Sequence, residues 1–139
     1  MTLIDAGPLV ALFDPSDDAH AGCVDLLSTI HEPILTTSCV LTEVFHLLSP
    51  DSRGARALMA FVGKGGLRIR ELDREDLMRA FELMVKYADA SMDLADASLV
   101  AIAEKLDLRR IFTLDRNDFS FYRIRLGHRH TEFKVMSPS

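Results

Sequence analysis

Cysteine is scarce in this 139-residue chain: only Cys23 and Cys39 occur, and they form no CxxC pair. Both lie in apolar, helical-looking stretches, so buried free thiols in a reducing cytoplasm are the expectation. No apolar run approaches the roughly 20 residues needed to span a bilayer. The N-terminus lacks the basic region and small-residue cleavage site of a secretory signal, which points to a cytoplasmic protein with no membrane association. Internal repeats, low-complexity tracts and long linkers are missing too. So are GxSxG, P-loop and GxGxxG motifs and any Cys–His pattern suited to nucleophilic catalysis. His20, His31, His128 and His130 are not spaced as a zinc set, and Glu43-Val44-Phe45-His46 has no second E-x-x-H to form a di-iron site.

What is present is an ordinary soluble composition, 48% hydrophobic and 27% charged, long enough to bury a core as one domain over residues 1–139. Net charge is −5, which argues against generic electrostatic binding of nucleic acid. Bases nevertheless gather in two places. Arg123, Arg125, Arg129 and Lys134, with His128 and His130, face only Glu132, and Lys64, Arg68 and Arg70 form a second group. Such groups are commonly solvated surface, but they permit a phosphate-bearing substrate.

Short apolar runs alternate with helical patterns. Thr2–Asp5 reads as a buried strand, and Gly7-Pro8 opens a helix that Asp14-Pro15-Ser16 breaks. Asp17 or Asp18 caps the next helix, Ile34–Thr37 is a strand, and a helix through Glu43 runs to Ser49-Pro50. Asp51 caps a helix through Leu58, Met59 and Phe61, with Met59, Met78, Met84 and the phenylalanines read as core packing. Leu67–Leu72 alternates like an edge strand, Asp73 begins a helix, and Asp93–Leu106 forms another. Ile111–Leu114 is a buried strand, with weaker strands at Phe121–Ile124 and Glu132–Met136. Ser38, Ser91 and Ser98 read as helix-start or helix-face residues. Alternating strands and helices predict a mainly parallel sheet covered on both faces, with ligands at the carboxyl ends of its strands.

Four acids stand against this apolar pattern. Asp96 falls between Leu99, Val100 and Ala103 on its helix, Asp5 and Asp115 follow buried strands, and Glu43 edges an apolar stripe. A buried ionised carboxylate is costly unless it is paired or holds a metal. Acids from several elements can together hold Mg²⁺ or Mn²⁺, which prefer hard oxygen ligands. Taken singly, each has a plainer reading. Asp93 and Asp96 match an N-cap with an acid at N3, and Asp115 to Asp118 matches a turn.

These residues carry a resemblance. Leu3 to Leu12, Thr36-Thr37 with Leu41-Thr42-Glu43, Asp93 to Leu99 and Ile111 to Arg116 appear in the order seen in PIN-domain proteins. The sequence is similar to the VapC-type toxins of bacterial and archaeal toxin–antitoxin pairs over Thr2 to about Phe119. The resemblance implies a three-layer α/β/α sandwich and an Mg²⁺- or Mn²⁺-dependent ribonuclease. It implies an acidic quartet of Asp5, Glu43, Asp96 and Asp115, with Asp93 and Asp118 as extra ligands and Thr113 supporting the last acid. It further implies a homodimer and a cognate antitoxin. Arg123, Arg125 and Arg129, with Lys64 and Arg68, become candidate contacts to the RNA backbone. A non-catalytic PIN-like module binding RNA or protein, and a different metal-dependent phosphohydrolase, stay open as alternatives.

Overall fold

The computed structural model describes residues 1–138. Strand β1 (Thr2–Ile4) is followed by α1 (Ala6–Phe13), α2 (His20–Ser28) and β2 (Ile34–Thr37). Helices α3 (Ser38–Leu47) and α4 (Arg53–Gly63) lead to β3 (Arg68–Arg70). Helix α5 (Arg74–Lys86), a 3₁₀ turn (Ala88–Ala90) and α6 (Leu94–Leu106) lead to β4 (Arg110–Phe112). The chain continues through α7 (Arg116–Phe121), β5 (Arg123–Leu126), β6 (Arg129–Glu132) and β7 (Lys134–Met136). No described helix is long and apolar enough to cross a membrane.

The central sheet has the order β3-β2-β1-β4-β7 and is parallel throughout. Its inner strands read as unbroken apolar runs because helices cover both faces, burying Leu3, Ile4, Ile34, Leu35, Ile111 and Phe112. Successive strands step outward from β1 to β3, then the chain returns to place β4 on the other side of β1. The strand order therefore reverses between β1 and β4, and a crevice opens at their carboxyl ends. Helix α6 packs on α5, α3, β2 and β5. Enclosed in this way, it buries Ala95 and every residue from Ala97 to Ala103, while Asp96 stays half-buried.

Several local expectations fail, each for a physical reason. The expected strand at Glu132–Met136 divides at the buried Phe133: Arg129–Glu132 pairs antiparallel with β5, and Lys134–Met136 joins β4. The expected strand at Phe121–Ile124 starts later, because Asp115 caps a helix where a turn was expected and Phe121 ends that helix. Asp51 has φ +66°, so Ser52 caps α4 by accepting from Ala55 N–H, while Asp51 pairs with Arg56. Asp17 caps no helix through its side chain but accepts from Ala19 N–H. Met59, Met78, Phe81 and Phe121 are exposed, so they pack less than their spacing suggested. Cys23 is buried and Cys39 half-buried, both free.

Candidate metal centre

Three carboxylates owe their place to helix starts. Asp5 follows β1 and caps α1, its Oδ1 accepting from Ala6 N–H at 2.8 Å. Asp93 caps α6 by accepting from the N–H of Asp96 at 2.9 Å, which sets Asp96 in the first turn. Asp115, two residues beyond the buried Thr113, caps α7 by accepting from Asp118 N–H at 3.2 Å. Each negative group thus lies where a helix dipole favours it. Glu43 projects from the middle of α3 and is exposed.

All six acids line one pocket of about 520 Å³, together with Ala6, Gly7, Ser91 and Leu114. No lysine, arginine or histidine shares that lining. Burial and uncompensated like charge therefore act together on the carboxyl groups. Asp5 is pushed up to about 6, mainly by burial, against the hydrogen bonds from Ala6 and Thr113 and with Glu43 and Asp115 adding repulsion. Asp96 is pushed up to about 8, again mainly by burial, then by Asp5 and Asp93, while the Tyr122 hydroxyl opposes the shift. Partial burial and Asp93 raise Glu43, and burial with Asp115 raises Asp118.

Among the described residues, no three His, Cys, Asp or Glu side chains stand in a geometry that grips an ion as they are. Instead the carboxylates are turned to protein donors. Asp5 Oδ2 accepts from Thr113 at 2.9 Å and Asp96 Oδ2 from Tyr122 at 3.0 Å. The donor set still fits a hard divalent cation: only carboxylate charge is offered, and nothing in the lining neutralises it.

The expected basic contacts lie outside this pocket. Arg123 is committed elsewhere, its Nη1 donating to the carbonyls of Ser120, Phe121 and Tyr122 at 2.7, 3.0 and 3.1 Å. In the β5–β6 ribbon Arg125 stands opposite His130, while Arg129 stands opposite Leu126. Side chains alternate across a strand, so Arg125 and Arg129 lie on opposite faces. Lys64 closes α4 and Arg68 begins the edge strand β3, away from the carboxyl ends.

Two contributors to the pocket escaped the sequence reading. Ser91 was expected at a helix start or on a helix face, but it lies before α6 with φ +57° and lines the pocket. Tyr122 supports Asp96 from behind, and the only hint in the sequence was a phenol in an apolar stretch, whose hydroxyl needs a partner when buried.

Comparison with known proteins places this geometry among relatives. The PIN-domain family matches residues 2–125. Ribonuclease VapC26 of Mycobacterium tuberculosis is 26% identical over 131 residues, covering 93% of this chain and 97% of the relative. The crystal structure of M. tuberculosis VapC20, a sarcin-ricin loop cleaving toxin, superposes with TM-score 0.73 at 20% identity, over 80% of this chain and 87% of that one. VapBC2 from Rickettsia felis, solved bound to a DNA fragment from its promoter, matches with TM-score 0.67 at 14% identity, over 99% of this chain and 98% of that one. A toxin–antitoxin complex from Klebsiella pneumoniae matches with TM-score 0.67 at 20% identity, over 86% of this chain and 91% of that one.

Proposed function

The chain belongs to the PIN-domain family, and from that premise we propose that it is a metal-dependent endoribonuclease, the toxin of a toxin–antitoxin pair. The observation that carries this reading is the single pocket lined by Asp5, Glu43, Asp96 and Asp115 from four separate segments, with no base among its lining residues. Likeness to a protein named ribonuclease VapC26 supplies the substrate class.

Asp5, Asp96 and Asp115 would hold Mg²⁺ or Mn²⁺, with Asp93 and Asp118 at the rim. When bound, such an ion lowers the pKa of water and neutralises charge on a scissile phosphate and its leaving oxygen. Glu43, exposed on α3, completes the cation's shell or orients the water. Thr113 holds Asp5 in place through its hydroxyl. Water adds to phosphorus as the P–O3′ bond breaks, leaving a 5′-phosphate on one product and a 3′-hydroxyl on the other. RNA reaches the acids along bases set away from the pocket, first Arg125 or Arg129 according to which face of the ribbon it follows, with Lys64 and Arg68 as lesser contacts. The partners of this reading are a cognate antitoxin and a second copy of the chain. Met78, Phe81 and Val85 offer an exposed apolar stripe on α5 for self-association.

The test is cleavage of total RNA by purified protein with Mn²⁺ or Mg²⁺, with EDTA, and with Asp5→Asn. Metal-dependent cleavage, lost in EDTA and in the variant and leaving 5′-phosphate ends, is the expected result. RNA binding without cleavage under all metal conditions would replace the nuclease with a non-catalytic RNA-binding module.

A further inference from the structure

We propose that Tyr122 is a positioning residue for the acid pocket, its hydroxyl fixing the orientation of the Asp96 carboxylate from outside the lining. The inference rests on the metal-dependent reading above. The Tyr122 side chain is wholly buried, and its hydroxyl donates to Asp96 Oδ2 at 3.0 Å. Asp96 Oδ1 has no hydrogen-bond partner among the described residues, so one carboxylate oxygen is held while the other is left to the pocket.

The phenol is itself held from several sides. Its ring meets Tyr87 edge-on, centroids 5.1 Å apart at 63°, and Phe119 at 5.1 Å and 81°. The Tyr122 backbone N–H donates to Asp118 O at 2.9 Å, and its carbonyl accepts from Arg123 at 3.1 Å. The Arg123 N–H donates to the Tyr87 hydroxyl at 3.0 Å, so a second phenol clasps the following residue. Packing alone would be met by phenylalanine. The hydroxyl adds a directional bond to a charged acceptor, and such bonds outweigh neutral ones.

The placement also joins two parts of the pocket. Asp115 and Asp118 lie at the start of α7, and Tyr122 lies at its end. One short helix therefore presents two acids and, through Tyr122, orients a third on α6. A shift of α7 would move all three together.

The experiment measures Mn²⁺ affinity by EPR and RNA cleavage, for wild type, Tyr122→Phe and Phe119→Leu, with thermal melts on each. Tyr122→Phe keeps the ring and its packing. It should weaken Mn²⁺ binding about 10–100-fold, as loss of a support behind a metal ligand does, and lower kcat with KM for RNA nearly unchanged. Phe119→Leu loosens the same aromatic cluster but keeps the hydroxyl, so it should lower the melting temperature and leave Mn²⁺ affinity near wild type. Wild-type Mn²⁺ affinity in Tyr122→Phe would overturn the inference, and with metal-dependent cleavage intact it would leave the nuclease reading standing. Affinity losses that merely track the loss of melting temperature in both variants would also overturn it. A wild-type protein that neither binds Mn²⁺ nor cleaves RNA would remove both proposals.

Discussion

The hydroxyl of Thr113 donates to Asp5 Oδ2 at 2.9 Å across a separation of 108 residues, and Thr113 Oγ1 itself accepts the N–H of Asp115 at 3.0 Å. One wholly buried atom thus ties two acids of the pocket, one after β1 and one after β4. Thr113→Val keeps the shape and strands both partners. It should cost about 1–3 kcal/mol in urea unfolding, the usual penalty for unpaired buried polar groups, and reduce cleavage. Thr113→Ser retains the oxygen and should recover most of both losses.

Stability of the metal-free protein should fall as pH rises from roughly 5 to 8.5, because native Asp5 and Asp96 keep protons that an unfolded chain has released. Burial sets this direction, pushing Asp5 up to about 6 and Asp96 up to about 8 from 3.8. Glu32 does not oppose the trend in this window. Bonds from Thr2, the N-terminal ammonium and Arg110 hold it down to about 2, so its contribution is lost only in acid. Urea melts in EDTA should differ by on the order of 5 kcal/mol across the window, at about 1.4 kcal/mol per pH unit for each proton held. Asp96→Asn should flatten the slope and raise alkaline stability, and saturating Mn²⁺ should flatten it in wild type. A flat profile in wild-type protein with EDTA would contradict the burial of these two acids.

The arginines of the C-terminal ribbon should separate by role. Because the two stand on opposite faces of the ribbon, one of Arg125→Ala and Arg129→Ala, and not the other, should weaken RNA binding and make its log–log salt slope shallower by about 0.7 per lost phosphate contact. Arg123→Ala should instead lower the melting temperature, since its guanidinium holds three carbonyls at the end of α7. Filter binding over a salt series, beside thermal melts, checks the division. Unchanged salt slopes for Arg125 and Arg129 would take the ribbon out of the RNA path.

Glu104 anchors that ribbon to the helices. Its carboxylate accepts from Arg79 Nε at 2.7 Å, Arg79 Nη2 at 3.0 Å and the Arg125 N–H at 2.8 Å. Its side chain is 9% exposed, and that of Arg79 is 18% exposed. Glu104→Ala leaves a largely buried guanidinium short of a partner and should cost about 3 kcal/mol. Hydrogen exchange should quicken first at the amides of β5 and β6. Exchange that rises evenly across the fold would show that Glu104 does not single out the ribbon.

The parallel sheet was legible because its strands are buried on both faces and read as plain apolar runs between helical patterns. The placement of Asp5 and Asp115 followed from the same pattern, since each acid directly ends or closely trails such a run. Helix α7 was hidden by its own start: Asp115-Arg116-Asn117-Asp118 carries turn chemistry, and six residues are too few to show a helical period. The break at Phe133 was invisible because an apolar residue inside an apolar run gives no sign that the strand changes partner. Tyr122 escaped for a related reason. Its ring satisfies the core pattern, and only the structure shows where its hydroxyl points. The ribbon arginines misled in the other direction, because local charge density says nothing of which guanidinium is already engaged.

The central position of β1 has a consequence for synthesis. Its two neighbours, β2 and β4, lie far apart along the chain, and β4 begins only at Arg110. While a ribosome is still translating α5, the emerging polypeptide carries Asp5 and Glu43 but neither Asp96 nor Asp115. One edge of β1 is then without its partner strand, and the pocket has only two of its six acids. The acid pocket therefore cannot assemble until α6, β4 and the start of α7 have left the exit tunnel, so any chemistry it performs is confined to a chain released almost to its last strands.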